Sequence, residues 1–357
     1  MFRSILAAMA LTAAVCVSGQ AAAEAKLAAG SVRMVMERTV EDFILPGYKA
    51  FGQAASGLVG ATKALCAAPG RSSLGDARRA FDKVALKWAA VEMVRFGPVM
   101  SENRLERILF WPDRKGTGLK QAQAALAKSD PSVLDAANMS AKSVAVQGLG
   151  ALEFLLYGTG SQALETGDAF RCGYASAIAE NIHSISGQLV AGWQNPDGAL
   201  AKWTDQTSTE DVLESLNELV GTLVHGLENV RDQRLLTFLA PDGNDKPRLA
   251  LFWRSGQTLP VLHANVTGLA RLFDESAMDA LLPEEAASIA DSIRFEFAEA
   301  ATLLDSAIPV AKALEDAEAR ARLAAGDVVL RSLLDRLDRQ YAPATGLSSG
   351  FSFADGD

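Results

Sequence analysis

Glu153 is the residue whose type and setting demand chemistry. It stands in the apolar run 143–158, where Val146, Leu149 and Leu156 share its helical face at spacings of three and four residues. A carboxylate on a buried face costs roughly several kcal/mol unless it is paired. Two readings meet that cost. Glu153 binds a metal or a polar ligand between helices, or it is half of a buried ion pair with Arg95, Arg104 or Arg107. Gly148 and Gly150 lie one turn earlier. Each gives up about 1 kcal/mol of helix stability relative to alanine, which a chain tolerates where a backbone or ligand must come close.

His225-Gly226-Leu227-Glu228 is a second arrangement with ligand spacing. His and Glu three residues apart share a helix face and could hold one metal. The plainer reading is surface pairing, with Glu228 meeting Arg231 or Arg234. His183 has polar neighbours and reads as solvated. His263 lies in Leu262-His263-Ala264-Asn265 and reads as a packed core or interface histidine. With Asn265 it would face any cleft between two halves of the molecule. The stretch from Arg95 to Arg114 gathers Arg95, Asn103, Arg104, Arg107 and Asp113 around Phe96, Phe110 and Trp111. It reads as a polar lining near Glu153 whose arginines orient a carboxylate or an anionic chelate, or as a capping loop with solvated arginines. Trp88, Trp193, Trp203 and Trp253 read as packing anchors.

The elements that must position these groups are helices. Strand signals are nearly absent, and Ala and Leu recur at helical spacing. The pattern predicts helices over 25–65 with an interruption near Pro46, then 75–96, 102–110, 119–128, 141–157, 165–192, 208–239, 247–253, 259–273, 283–308 and 310–341. The Gly, Asn-Pro, Asp-Gly and Ser/Thr-rich stretch near 192–209 marks a boundary. The expected organisation is a signal peptide at 1–23, an N-terminal helical bundle at 24–192, a linker at 193–207, a C-terminal bundle at 208–341 and an irregular tail at 342–357. Phe351 and Phe353 are expected to tack that tail onto the body.

Arg3, the short apolar run 5–17 and Ala21-Ala22-Ala23 form the export signal. Cys16 offers a lipid-anchor alternative, although Val15 stands where a small residue is wanted. The remaining cysteines, Cys66 and Cys172, are either bridged or two separate buried thiols, and an oxidising compartment favours the bridge. The net charge of −9, with no basic cluster, argues against nucleic acid. Serine nucleophile elbows, phosphate-binding loops and Cys-x-x-Cys pairs are absent.

Gly148-Leu149-Gly150-Ala151-Leu152-Glu153 resembles the Gly-x-His-x-x-Glu signature of the imelysin-like family of bacterial cell-envelope proteins, with Gly150 at the histidine position. Arg95-Phe96-Gly97-Pro98, Phe110-Trp111-Pro112-Asp113, Cys172 at a helix head and the closing run 350–357 agree with that resemblance. It implies an all-α fold of two packed helical bundles with a cleft between them. It also implies a periplasmic or cell-envelope protein of iron acquisition that binds iron, an iron chelate or haem, or assists an envelope transporter. The ligand-binding residues expected on this basis are Glu153, Arg95, Asp113 and Asn103, with Gly148 and Gly150 giving access. Iron is the expected metal, at Glu153 or at His225 and Glu228. A metal-dependent peptidase is one alternative, disfavoured because Gly150 has no donor atom and a hydrolytic zinc centre needs about three protein ligands. A ligand-free envelope scaffold is another.

Overall fold

The computed structural model describes residues 27–204 and 208–350. The expected signal peptide, Cys16, Phe351 and Phe353 lie outside the described residues. Among those described there is no strand, and no helix is long and apolar enough to cross a membrane.

The first helix, α1 (Ala29–Arg38), does not stop at Pro46. It passes through a π-helical turn at Thr39–Ile44 into α2 (Leu45–Ala67), so the expected interruption is absent. Pro46 sits in the first turn of α2, where its missing N–H falls beside a ladder already shifted by the wider turn. A tight connection leads to α3 (Arg71–Ala89), which forms a hairpin with α2. Short helices follow, α4 (Arg104–Ile108) and α5 (Thr117–Lys128), then α6 (Gly148–Tyr157) and the long α7 (Ala169–Gln194). Asp168 caps α7 by accepting the Arg171 backbone N–H at 3.0 Å.

Helix α7 runs antiparallel to α2. Cys66 at the end of α2 is bridged to Cys172 near the start of α7, with 5.6 Å between their Cα atoms. At the other end Gly52 faces Ser186. Between the halves, α8 (Ala199–Thr204) lies within the expected linker.

The second half opens with α9 (Thr209–Glu228), whose cap Ser208 accepts the Asp211 N–H at 3.1 Å. A π-helical turn at Asn229–Leu235 carries it into the short α10 (Leu236–Phe238). Then come α11 (Thr258–Glu275), α12 (Ser288–Leu304), α13 (Val310–Glu315), α14 (Ala317–Arg336) and, after a further π-helical turn, α15 (Ala342–Thr345). Helices α9, α11, α12 and α14 pack together. The expected helix over 247–253 is only a 3-10 turn at Pro247–Leu249 followed by an irregular turn, and the stretch 141–147 is likewise not α-helical.

One apolar core runs through both halves. Helix α3 packs on α11, and Phe81 meets Phe252 edge to face at 5.5 Å across the seam. The predicted continuation of α3 to residue 96 ends at Ala89, because α11 intervenes. Asn265 of α11 donates to the Ala89 carbonyl at 2.7 Å, and Gly268 lies so close that a Cβ there would stand 2.5 Å from the Ala90 carbonyl oxygen. Replacing Cys66 and Cys172 together by serine should lower unfolding free energy by about 2–5 kcal/mol, the usual range for a bridge closing a long loop. Denaturant melts of the oxidised protein and the double variant check this.

Candidate functional site

Glu153 is buried in the seam, with its side chain turned toward the other half of the chain. Its Oε1 accepts three hydrogen bonds: from the backbone N–H groups of Arg254 and Ser255 at 3.0 and 2.9 Å, and from the Ser255 hydroxyl at 3.0 Å. The Arg254 guanidinium stands 3.9 Å from Oε2. The charge partner is therefore Arg254, a correction to the expected Arg95, Arg104 or Arg107. Arg104 is held by the Pro98 carbonyl, Gln188 and Glu102. Arg107 is held by Gln147 and Asn181 in a buried polar cluster. Burial pushes the Glu153 carboxyl above its usual range, and the Ser255 and Arg254 contacts pull it back down. The turn it secures contains Phe252 at φ +57°, a left-handed conformation costly for a bulky residue.

The two glycines of the motif differ. Gly148 has φ +82°, and a Cβ there would stand 2.5 Å from the carbonyl oxygens of Arg107 and Ile108. It lets two chain segments close on each other and opens no access. Gly150 is exposed, with nothing within 4 Å of where a Cβ would be. Asp113 caps α5, its two oxygens accepting the Thr117 and Gly118 N–H groups at 2.7 and 2.8 Å. Asn103 lies exposed in a left-handed turn before α4. None of Glu153, Asp113, Asn103, Gly148 and Gly150 lines the cleft described next.

That cleft, about 830 Å³, lies between the halves. Arg95, Phe96, Trp111 and Trp203 line one side. Phe96 stacks on Trp203 with ring centroids 4.6 Å apart, and Trp193 closes on both edgewise. The opposite wall is one face of α9 and its π-helical continuation, carrying Glu214, Glu218, His225, Glu228 and Asp232. His225 Nδ1 and Glu228 Oε2 are 2.9 Å apart. Ser349 and Gly350 complete the rim. There the Ser348 N–H donates to Asn217 at 2.8 Å, and the Ser349 carbonyl closes on Gly221.

Arg95 makes no hydrogen bond or ion pair among the described residues. The cleft walls stand close around it and lower its pKa, with Glu92 opposing and Arg234 adding to the shift. Solvent still reaches the side chain, so it stays a cation. Across the cleft, Glu218 is pushed up by crowding and by Glu214. Asp232 is pushed up by burial, with Arg231 opposing and Glu228 and Asp327 adding.

The carboxylates at 214, 218, 228 and 232, with the imidazole at 225, recur at helical spacing along α9 and its continuation, so they could have been read as one acidic stripe from the sequence. The pair at 225 and 228 is part of it. His183 and His263 are not among the lining residues, and Asn265 lies beneath the cleft in a buried trio. There Arg234 meets Glu92 at 2.6 Å and donates to Asn265 at 2.7 Å, while Asn265 donates to Glu92 at 2.6 Å.

The family model for imelysin, peptidase family M75, matches residues 44–337. The chain belongs to the imelysin family. The fold agrees with an imelysin-like protein from Psychrobacter arcticum at TM-score 0.78 and 21% identity, covering 92% of this chain and 99% of that one. It agrees also with a protein from Parabacteroides distasonis described as an iron-regulated protein A precursor, at TM-score 0.62 and 15% identity over 85% and 95% of the two chains. No curated protein matches. In this imelysin the motif residues do not fit a bare ion. Gly150 brings no donor, Glu153 Oε1 is already taken by three N–H or O–H groups, and no cluster of three His, Cys, Asp or Glu suited to a metal occurs among the described residues.

Glu153→Ala leaves two backbone N–H groups without their acceptor and should destabilise by about 2–4 kcal/mol. Glu153→Gln keeps an acceptor and should cost less. The raised carboxyl pKa sets the sign with pH. Between the ordinary glutamate value and the raised one the folded protein binds more protons than the unfolded, so stability falls as pH rises through that window. Glu153→Gln should remove that slope in urea melts across pH. Gly150→Ala should stabilise by about 0.5–1 kcal/mol, whereas Gly148→Ala should destabilise; thermal melts of the two variants test the contrast.

Proposed function

We propose that this imelysin is an exported envelope protein of iron handling, and that it receives a complexed form of iron in the cleft between its halves. The reading is supported by the family and by the described name of the Parabacteroides neighbour. The observation that carries it is the make-up of the cleft. Arg95, unpaired among the described residues, and an aromatic wall face a helix with four carboxylates and an imidazole. A complex of chelate or haem size suits that lining, because its metal or positive edge meets the α9 acids and its apolar face meets Phe96, Trp111 and Trp203. Any carboxylate it carries falls to Arg95. A bare ion has no complete ligand set there, and the same shortage argues against a motif-based metallopeptidase.

Thermal-shift titrations with ferric citrate, ferrous ion, zinc and haem test the reading. Ferric citrate or haem should raise the melting temperature by a few degrees, since a ligand at about a hundred times its Kd adds about 2.7 kcal/mol. The effect should fall when Glu218→Gln and Asp232→Asn are combined. The proposal is lost if no iron species shifts the melt, or if the shift survives that double substitution.

A further inference from the structure

The last described residues sit on the rim of the cleft, and three contacts place them there. The Ser348 N–H donates to Asn217 of α9 at 2.8 Å. The Ser349 hydroxyl donates to Asp338 at 2.9 Å. The Ser349 carbonyl oxygen lies 2.7 Å from where a Gly221 Cβ would stand. Ser349 and Gly350 thereby line the opening beside α9.

The chain continues from that rim as Phe351-Ser352-Phe353-Ala354-Asp355-Gly356-Asp357. In extended backbone alternate residues share a side, so this order would put Phe351, Phe353 and Asp355 together. Five extended residues reach about 17 Å. Arg95 lies within that reach. It meets Gly226 and Asn229 in a small recess off the cleft. Those two residues stand about 8–12 Å along the helix from Gly221 at the usual rise. The charges are complementary as well. Outside α9 and its continuation, Arg95 is the one charged residue among those lining the cleft, set with Phe96, Trp111 and Trp203. It has no hydrogen bond or ion pair among the described residues, and solvent reaches it.

We propose that residues 351–357 are the cleft's own occupant: Phe351 and Phe353 cover the aromatic wall, Asp355 pairs with Arg95, and an incoming ligand must displace them. Repulsion from Glu214, Glu218 and Asp232 keeps the segment displaceable. A ligand whose positive edge takes the α9 acids, and whose carboxylate takes Arg95, removes the segment's anchor. The occupancy itself does not depend on what enters the cleft. Its consequence for uptake rests on the iron reading.

The test uses the oxidised full chain without iron, carrying Cys16→Ser and a nitroxide on Gly356→Cys. Cys66 and Cys172 are bridged and do not react. Single Trp→Phe variants assign the five indole N–H signals. The nitroxide should weaken the Trp111 and Trp203 signals more than that of Trp253, which does not line the cleft. Asp355→Asn and Arg95→Gln should each restore part of the lost intensity. The proposal is overturned if Trp111 and Trp203 keep full intensity, if all five signals fade alike, or if either substitution leaves the weakening unchanged. A second measurement reads the consequence. Phe351→Ala combined with Phe353→Ala should tighten the apparent Kd for ferric citrate or haem, about tenfold if the segment fills the cleft for about nine-tenths of the time. Equal affinity of the two forms overturns the proposal. If neither form binds any iron species, the iron reading fails and the nitroxide result decides the occupant by itself.

Discussion

Across the apolar core that the two halves share, one oxygen atom, Oε1 of Glu153, ties them together. It comes from the first half and accepts three hydrogen bonds from the turn that begins α11 in the second. That turn includes Phe252 in a left-handed conformation, and Phe252 in turn meets Phe81 of α3. The carboxylate, the strained turn and the aromatic contact support one another. Removing the acceptor would leave the N–H groups of Arg254 and Ser255 without a partner at the seam, the expensive half of any hydrogen-bond exchange. A second buried carboxylate, Glu92, repeats the device deeper in the seam with Arg234 and Asn265.

The cleft lies between the halves joined by these contacts. Its electrostatics are one-sided. On the α9 wall burial, reinforced by neighbouring carboxylates, makes Glu218 and Asp232 harder to ionise than usual, while the facing wall is aromatic with one guanidinium. A ligand that is positive on one edge and flat and apolar on one face loses least on entering.

Much of this was legible in the residues. Helical spacing predicted an all-α chain, and most segment positions agree within a few residues. The lone cysteine pair, read together with the expected export signal, pointed to the bridge between Cys66 and Cys172. The apolar face around Glu153 pointed to its burial. Its partner was not legible. Arginines close in sequence looked sufficient, yet the actual contacts come from Arg254 and Ser255, a hundred residues on, where no local pattern marks them. Two segments failed as helices for reasons of backbone conformation, Gly148 and Phe252 both lying at positive φ. The His225 and Glu228 pair looked like a surface feature because the wall opposite it is set by tertiary packing.

The rim at Ser349 and Gly350 has a practical corollary. Residues 348–350 lie beside the mouth of the cleft, held there by Asn217 and by the close approach to Gly221. A bulky group attached at these residues would stand at the opening, where it would compete with small molecules for entry. Measurements of uptake into the cleft are therefore best made on protein whose last residues are left untouched.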